Sequence, residues 1–120
     1  MTAPALLFIH AHPDDESILT GSVLAKAADL GLRTIVAFGT RGDAGETKLD
    51  LGNETLAERR IREAEAACAD LDVDRVEWLS YDDSGMDGTE TTKNPAAFSN
   101  ADPAAIASEL ADLFADENVI

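Results

Sequence analysis

The sequence predicts an α/β fold, a Rossmann-like parallel sheet with helices on both faces. Short apolar runs alternate with stretches whose apolar residues recur at helical spacing. Helix start and stop signals fall between the runs, and polar, glycine-bearing connections separate them. Strand, helix, strand, helix, strand, helix and a strand stub in that order place successive strands side by side, with crossover helices covering the sheet. The chain has 120 residues and 45% hydrophobic content, enough for one domain or part of one.

Ala5 to Ile9 is the first apolar strand. Ser17 to about Leu30 reads as an Ala- and Leu-rich helix stopped by Gly31. Thr34 to Phe38 forms the second strand, and Gly39 to Gly52 is a glycine-rich loop. Thr55 with Glu58 fits a capping box for a helix running to about Leu71, after which Arg75 to Leu79 is the third strand. Ser80 to Ala101 is polar and turn-rich, and it is too long for a plain connection, which points to a functional loop. Asp102 and Pro103 supply an N-cap acid and a first-position proline, and Ile106, Leu110, Leu113 and Phe114 make one helical face. Asn118 breaks that helix, and Val119 and Ile120 read as the start of a buried fourth strand. We expect residues 1–120 to be the amino-terminal portion of a single, longer α/β domain.

Charge excludes several functions. The formal net charge is -15, from 24 acids against 9 bases, a field that repels phosphate backbones and anionic lipid, so neither nucleic acid nor membrane is an expected partner. The acids are scattered rather than gathered in a tail, and lysine occurs only at 26, 48 and 93, a composition like that of salt-adapted, acidic proteomes. No signal peptide is visible at the amino terminus, so a cytoplasmic location is expected. The single cysteine, Cys68, reads as a small core residue. Gly39 to Gly45 follows a strand but has neither dinucleotide nor Walker spacing, and Asp70, Asp72 and Asp74 lack the glycine and glutamate of a calcium loop.

Chemistry concentrates at His10 to Asp15 (HAHPDD), at the carboxyl end of the first strand, where open α/β sheets place their sites. His12 and Asp15 are a nitrogen and an oxygen ligand that a bend at Pro13 can turn toward one ion. Asp14 lies between them, placed to act as general base toward a metal-activated water. Glu16 and His10 are expected to steady the ligands by hydrogen bonds. The competing reading is that Asp14, Asp15 and Ser17 only cap the following helix, which would leave a nonenzymatic Rossmann-like binding module.

The segment Phe8 to Ser17 (FIHAHPDDES) resembles the signature of the PIG-L or LmbE-like zinc-dependent N-deacetylases. Thr40 to Glu46 (TRGDAGE) is similar to the family's T-x-G-E-x-G loop, with Asp43 where Glu is commoner. Arg60 to Glu63 resembles its R-x-x-E helix motif, and Asp83 to Met86 its DSGM loop, found in the mycothiol-pathway-like branch. The resemblance implies Zn2+ held by His12 and Asp15, Asp14 as catalytic base, and Arg60 and Asp83 as substrate-binding residues. It also implies hydrolysis of an N-acyl group, most often acetyl, from an amino sugar or glycoconjugate. Alongside those roles, Asp83 suits an Asx-type turn with Ser84 and Gly85, and Arg60 a solvated helix face beside Arg59 and Arg62. Family members complete the zinc site with a histidine from a later H-P-D-H type motif. This chain has only His10 and His12, so the third ligand and the general acid are expected beyond Ile120.

Overall fold

A computed structural model of the chain describes residues 3–120. Strand β1 (Pro4–His10) leads into helix α1 (Asp15–Asp29), followed by β2 (Arg33–Phe38), α2 (Leu56–Asp70), β3 (Arg75–Trp78), α3 (Pro103–Leu113) and β4 (Asn118–Val119). The strands lie in the order β3-β2-β1-β4, and every neighbouring pair is parallel. This is the predicted α/β architecture.

Alternation along β2 decides the layers, because successive side chains of a strand point to opposite faces. Val36 and Phe38 pack with Leu24 of α1 and Ala64 and Cys68 of α2. Ile35 and Ala37 face the other way, against Phe114, Leu110 and Leu113 at the end of α3. Residues 35 to 38 are all fully buried, which makes β2 the spine of both cores. Among the described residues no helix is long and apolar enough to cross a membrane.

The predicted signals hold at α2 and α3. Thr55 and Glu58 form the reciprocal capping box, and Asp102 accepts a hydrogen bond from the Ala104 N–H with Pro103 in the first turn. Three boundaries differ from expectation. Helix α1 begins at Asp15 rather than Ser17, because Asp14 turns the chain through a left-handed conformation at φ 83°. Strand β3 is assigned only to Trp78, although the Leu79 N–H still donates to the Phe38 carbonyl at 2.8 Å. Asn118 does not end the pattern but pairs with Pro4 in β4, and that strand is not buried: Val119 is 40% and Ile120 72% exposed.

From β1 the chain adds β2 and β3 on one side, and after α3 it returns to lay β4 on the other. The order therefore reverses at β1, and the crevice beyond its carboxyl end is where an open sheet of this kind binds ligands. Ser80 to Ala101 roofs that end. It is folded into short 3₁₀ turns at Glu90–Lys93 and Phe98–Asn100 and fastened by a bridge between Asp82 and Ala97.

Candidate active site

Pairing with β2 continues past the end of β1 and sets the exit of the chain. The Gly39 and Thr40 N–H groups donate to the carbonyls of His10 and Ala11 at 2.8 and 2.9 Å, and the Thr40 hydroxyl donates to the Ala11 carbonyl as well. His12 follows directly, then a buried Pro13, then Asp14 at φ 83°. A non-glycine residue in the left-handed region costs on the order of 1 kcal/mol and persists only where its surroundings hold it. Here the backbone of Asp14 caps α1, its carbonyl accepting from the Ser17 and Ile18 N–H groups, while its side chain makes no capping bond. The carboxylate instead projects outward, 62% exposed. A turn serving only as a cap would spend that side chain on the helix.

His12 and Asp15 come together as the spacing predicts. Imidazole Nδ1 lies 3.6 Å from Asp15 Oδ2, and the His12 backbone N–H donates to the same oxygen at 3.3 Å. On the far side of the ring, Nε2 lies 3.1 Å from Asp83 Oδ1. Asp83 is buried, and its carboxylate also accepts from the Gly85 N–H at 3.1 Å and the Ala44 N–H at 3.2 Å. Asp83 thus forms the Asx turn with Gly85 and at the same time ties three segments to one carboxylate: the HPDD turn, the loop after β2 and the loop after β3.

Arg60 does not lie on a solvated face. Its guanidinium crosses the loop after β2, donating from Nη1 to the Gly42 carbonyl and from Nη2 to the Pro13 carbonyl, both at 2.9 Å, and pairing with Asp14 Oδ2 at 3.2 Å. The loop accommodates it through glycine. Gly42 sits at φ +66°, and a Cβ there would fall 2.2 Å from Arg60 Nη1. Arg59 and Arg62 on the same helix turn to Glu54 instead, and together they hold its carboxyl down at about 2, Arg62 contributing most.

These residues line a cleft of about 510 Å³ with His12, Asp14, Asp15, Arg60 and Asp83 on its walls. A smaller hollow of about 200 Å³ adjoins it and shares Asp14, Glu46 and Arg60. Two expected contributors stand apart. His10 Nε2 pairs with the Thr20 hydroxyl at 3.0 Å, and Glu16 is buried with its Oε1 accepting from the Ser17 hydroxyl, so neither steadies His12 or Asp15 by a hydrogen bond. Cys68 lies in the core as expected, where burial, aided by Glu16 and Glu65, pushes its thiol up to about 12. The sequence reading overlooked the part of Asp43, whose Oδ1 accepts from the Asp83 N–H at 3.3 Å, and of the Ala44 N–H. Both lie in the glycine-bearing Thr40–Glu46 segment, whose likeness to the family's loop is the signal that marks them.

Residues 7–120 match the PIG-L family, described as GlcNAc-PI de-N-acetylase. The chain is similar to 1D-myo-inositol 2-acetamido-2-deoxy-alpha-D-glucopyranoside deacetylases: 41% identical to that of Acidothermus cellulolyticus, over 93% of this chain and 42% of that protein. With that of Thermobifida fusca it shares 40%, over 88% and 41% respectively. Among solved structures it resembles the N,N'-diacetylchitobiose deacetylase of Pyrococcus horikoshii, with a TM-score of 0.60 and 35% identity over 67% of this chain and 30% of that one. It also resembles GalB, the 4-carboxy-2-hydroxymuconate hydratase of Pseudomonas putida, with a TM-score of 0.64 and 26% identity over 95% of this chain and 42% of that one. The chain spans about two-fifths of the length of the curated relatives it matches. It belongs to the PIG-L family.

Proposed function

We propose that this chain carries the catalytic turn of a zinc-dependent hydrolase that removes an N-acyl group, acetyl above all, from an amino sugar or glycoconjugate. The observation that carries the reading is the placing of Asp14: exposed on the wall of the cleft, anchored by Arg60, and lying in sequence between a histidine and a carboxylate whose ligand atoms stand 3.6 Å apart. Two ligands of one tetrahedral zinc, each about 2.0–2.2 Å from it, are separated by about 3.4 Å, so His12 Nδ1 and Asp15 Oδ2 suit two places in such a set. Among the described residues no group of three His, Cys, Asp or Glu side chains forms a complete set, and we expect the third donor from outside them.

When bound, zinc polarises the amide carbonyl and lowers the pKa of bound water to about 7. Asp14 takes the proton of the attacking water, its carboxylate held by Arg60. Breakdown of the tetrahedral species requires a proton at the departing amine, and Asp14 is the residue of this chain placed to return it. Arg60 spends three N–H groups on Gly42, Pro13 and Asp14, which leaves two of the five that a guanidinium carries for a sugar hydroxyl. Asp83 lines the same cleft.

The likeness to GalB, a hydratase by name, shows that the fold alone does not choose the reaction. Identity of 40–41% with two deacetylases that act on an acetamido sugar favours the amide. In this reading residues 1–120 form the amino-terminal portion of one cytoplasmic α/β domain, and alone they bind zinc weakly and are inactive. The test is to assay the full natural protein, with and without a chelator, for acetate release from N-acetylglucosamine derivatives. Release that stops with chelation and returns with zinc supports the reading. Zinc-loaded protein that hydrolyses none of them contradicts it.

A further inference from the structure

We propose that Asp83 is a positioning residue that fixes the tautomer and ring orientation of His12. The inference rests on the proposed metal site for its consequence, though not for its geometry. An ionised carboxylate only accepts hydrogen bonds. With Asp83 Oδ1 3.1 Å from Nε2, Nε2 carries the proton it donates to Asp83, which leaves Nδ1, 3.6 Å from Asp15 Oδ2 on the other side of the ring, as the nitrogen for a metal. A ligating histidine whose remaining N–H is held by a carboxylate has its orientation set and its basicity raised.

Asp83 is itself firmly held. The Ala44 N–H fixes Oδ2 and the Gly85 N–H fixes Oδ1, so backbone from two loops clamps the carboxylate at both oxygens. Gly85 allows this by taking φ +70°, where a Cβ would lie 2.6 Å from the Thr91 hydroxyl. Three of the roughly four lone-pair positions of the carboxylate are thereby occupied, and the side chain is only 5% exposed. Glycine spacing in the loop after β2 is explained at the same time, since that loop must bring the Ala44 amide to Asp83 while Gly42 makes room for Arg60.

The experiment is ¹⁵N-histidine NMR of the full natural protein in metal-free form, with the His12 signals assigned against His12→Asn, together with zinc affinity measured by chelator competition. The expected result is an Nε2–H tautomer for His12 in the wild type, and loss of that single tautomer in Asp83→Ala with zinc bound about 10- to 100-fold more weakly. Asp83→Asn, which keeps an acceptor oxygen toward Nε2, should retain the tautomer. An Nδ1–H tautomer in the wild type overturns the proposal without any variant. So does Asp83→Ala with an unchanged tautomer and zinc affinity but a raised KM, the pattern of a sugar contact. A wild type that binds no zinc, yet loses its Nε2–H tautomer in Asp83→Ala, would remove the proposed function and leave the coupling of Asp83 to His12 standing.

Discussion

At the amino end of the sheet, Arg33 pairs with Glu117 at 2.8 Å, Arg75 pairs with both Glu117 and Glu77, and Asp74 accepts from the Thr34 N–H at 2.8 Å. At the carboxyl end, Asp14 pairs with Arg60, Asp15 and Asp83 flank His12, and Asp43 accepts from the Asp83 N–H. Both ends are charged, yet the first closes its charges against one another on well-formed strands while the second leaves carboxylate facing a cleft of about 510 Å³. Both ends hold residues at positive φ, Gly31 and Asp72 in the turns that enter β2 and β3 at the amino end and Asp14, Gly42 and Gly85 at the carboxyl end. Of these, Asp14 and Gly85 line the cleft and Gly42 makes room for Arg60. Charges at the amino end are spent on one another, whereas Asp14 at the carboxyl end is held by Arg60 and still exposes its carboxylate to the cleft.

The largest effect should come from the carboxyl end. Asp14→Asn in the full natural protein should keep zinc and lose activity by about 10² to 10⁴, the usual cost of removing a general base. Asp15→Ala should lose the metal as well. Metal analysis beside acetate release separates the two, and equal zinc loss in both would break the assignment of roles.

A matched pair of glycines sharpens the comparison. Gly42→Ala and Gly52→Ala both place a Cβ at positive φ, +66° and +61°, but only at Gly42 does it strike Arg60; at Gly52 nothing lies within 4 Å. Each should lose about 1 kcal/mol or more from backbone strain. Gly42→Ala alone should also lower kcat, because Arg60 must leave Asp14. Thermal melting and steady-state kinetics on both variants measure this, and equal kcat values would detach Arg60 from the chemistry.

Glu117→Gln probes the closed end and should lower Tm while leaving kcat unchanged. Arg33, and after it Arg75, hold the Glu117 carboxyl below its ordinary value. A depressed carboxylate contributes stability that is fully present above the unfolded value of about 4.3 and is lost as pH falls through the folded one. The wild type should therefore lose stability more steeply than the variant below about pH 4.3, which parallel acid melts would show. The smallest effect is global: with a net charge of -15, Tm should rise as KCl approaches about 1 M, where the screening length is about 3 Å. A flat or falling Tm would refute salt adaptation.

Much of the fold was legible because its signals are local. The capping box at Thr55, the Asp102-Pro103 start and the apolar run of β2 each state their structure within a few residues. The site was legible as a set of residues, since His12, Asp14 and Asp15 lie within one turn. Its wiring was not. The bond from His12 to Asp83 crosses 71 positions, and the choice of Arg60 over Arg59 and Arg62 depends on which way a helix faces a glycine loop. The left-handed Asp14 was hidden as well, because nothing in the sequence marks a residue that surrounding contacts force into that conformation. The exposure of β4 was misread for a related reason: two apolar residues do not reveal whether a neighbour covers them.

The proposed chemistry requires a metal held between His12 and Asp15. The most direct measurement is anomalous diffraction at the zinc edge from crystals of the full natural protein grown with zinc. The expected map has one strong peak within bonding distance of His12 Nδ1 and Asp15 Oδ2, with Asp14 beside it and Asp83 on the far side of the imidazole. A peak bound elsewhere, or none with that pair left as it stands, would contradict the claim.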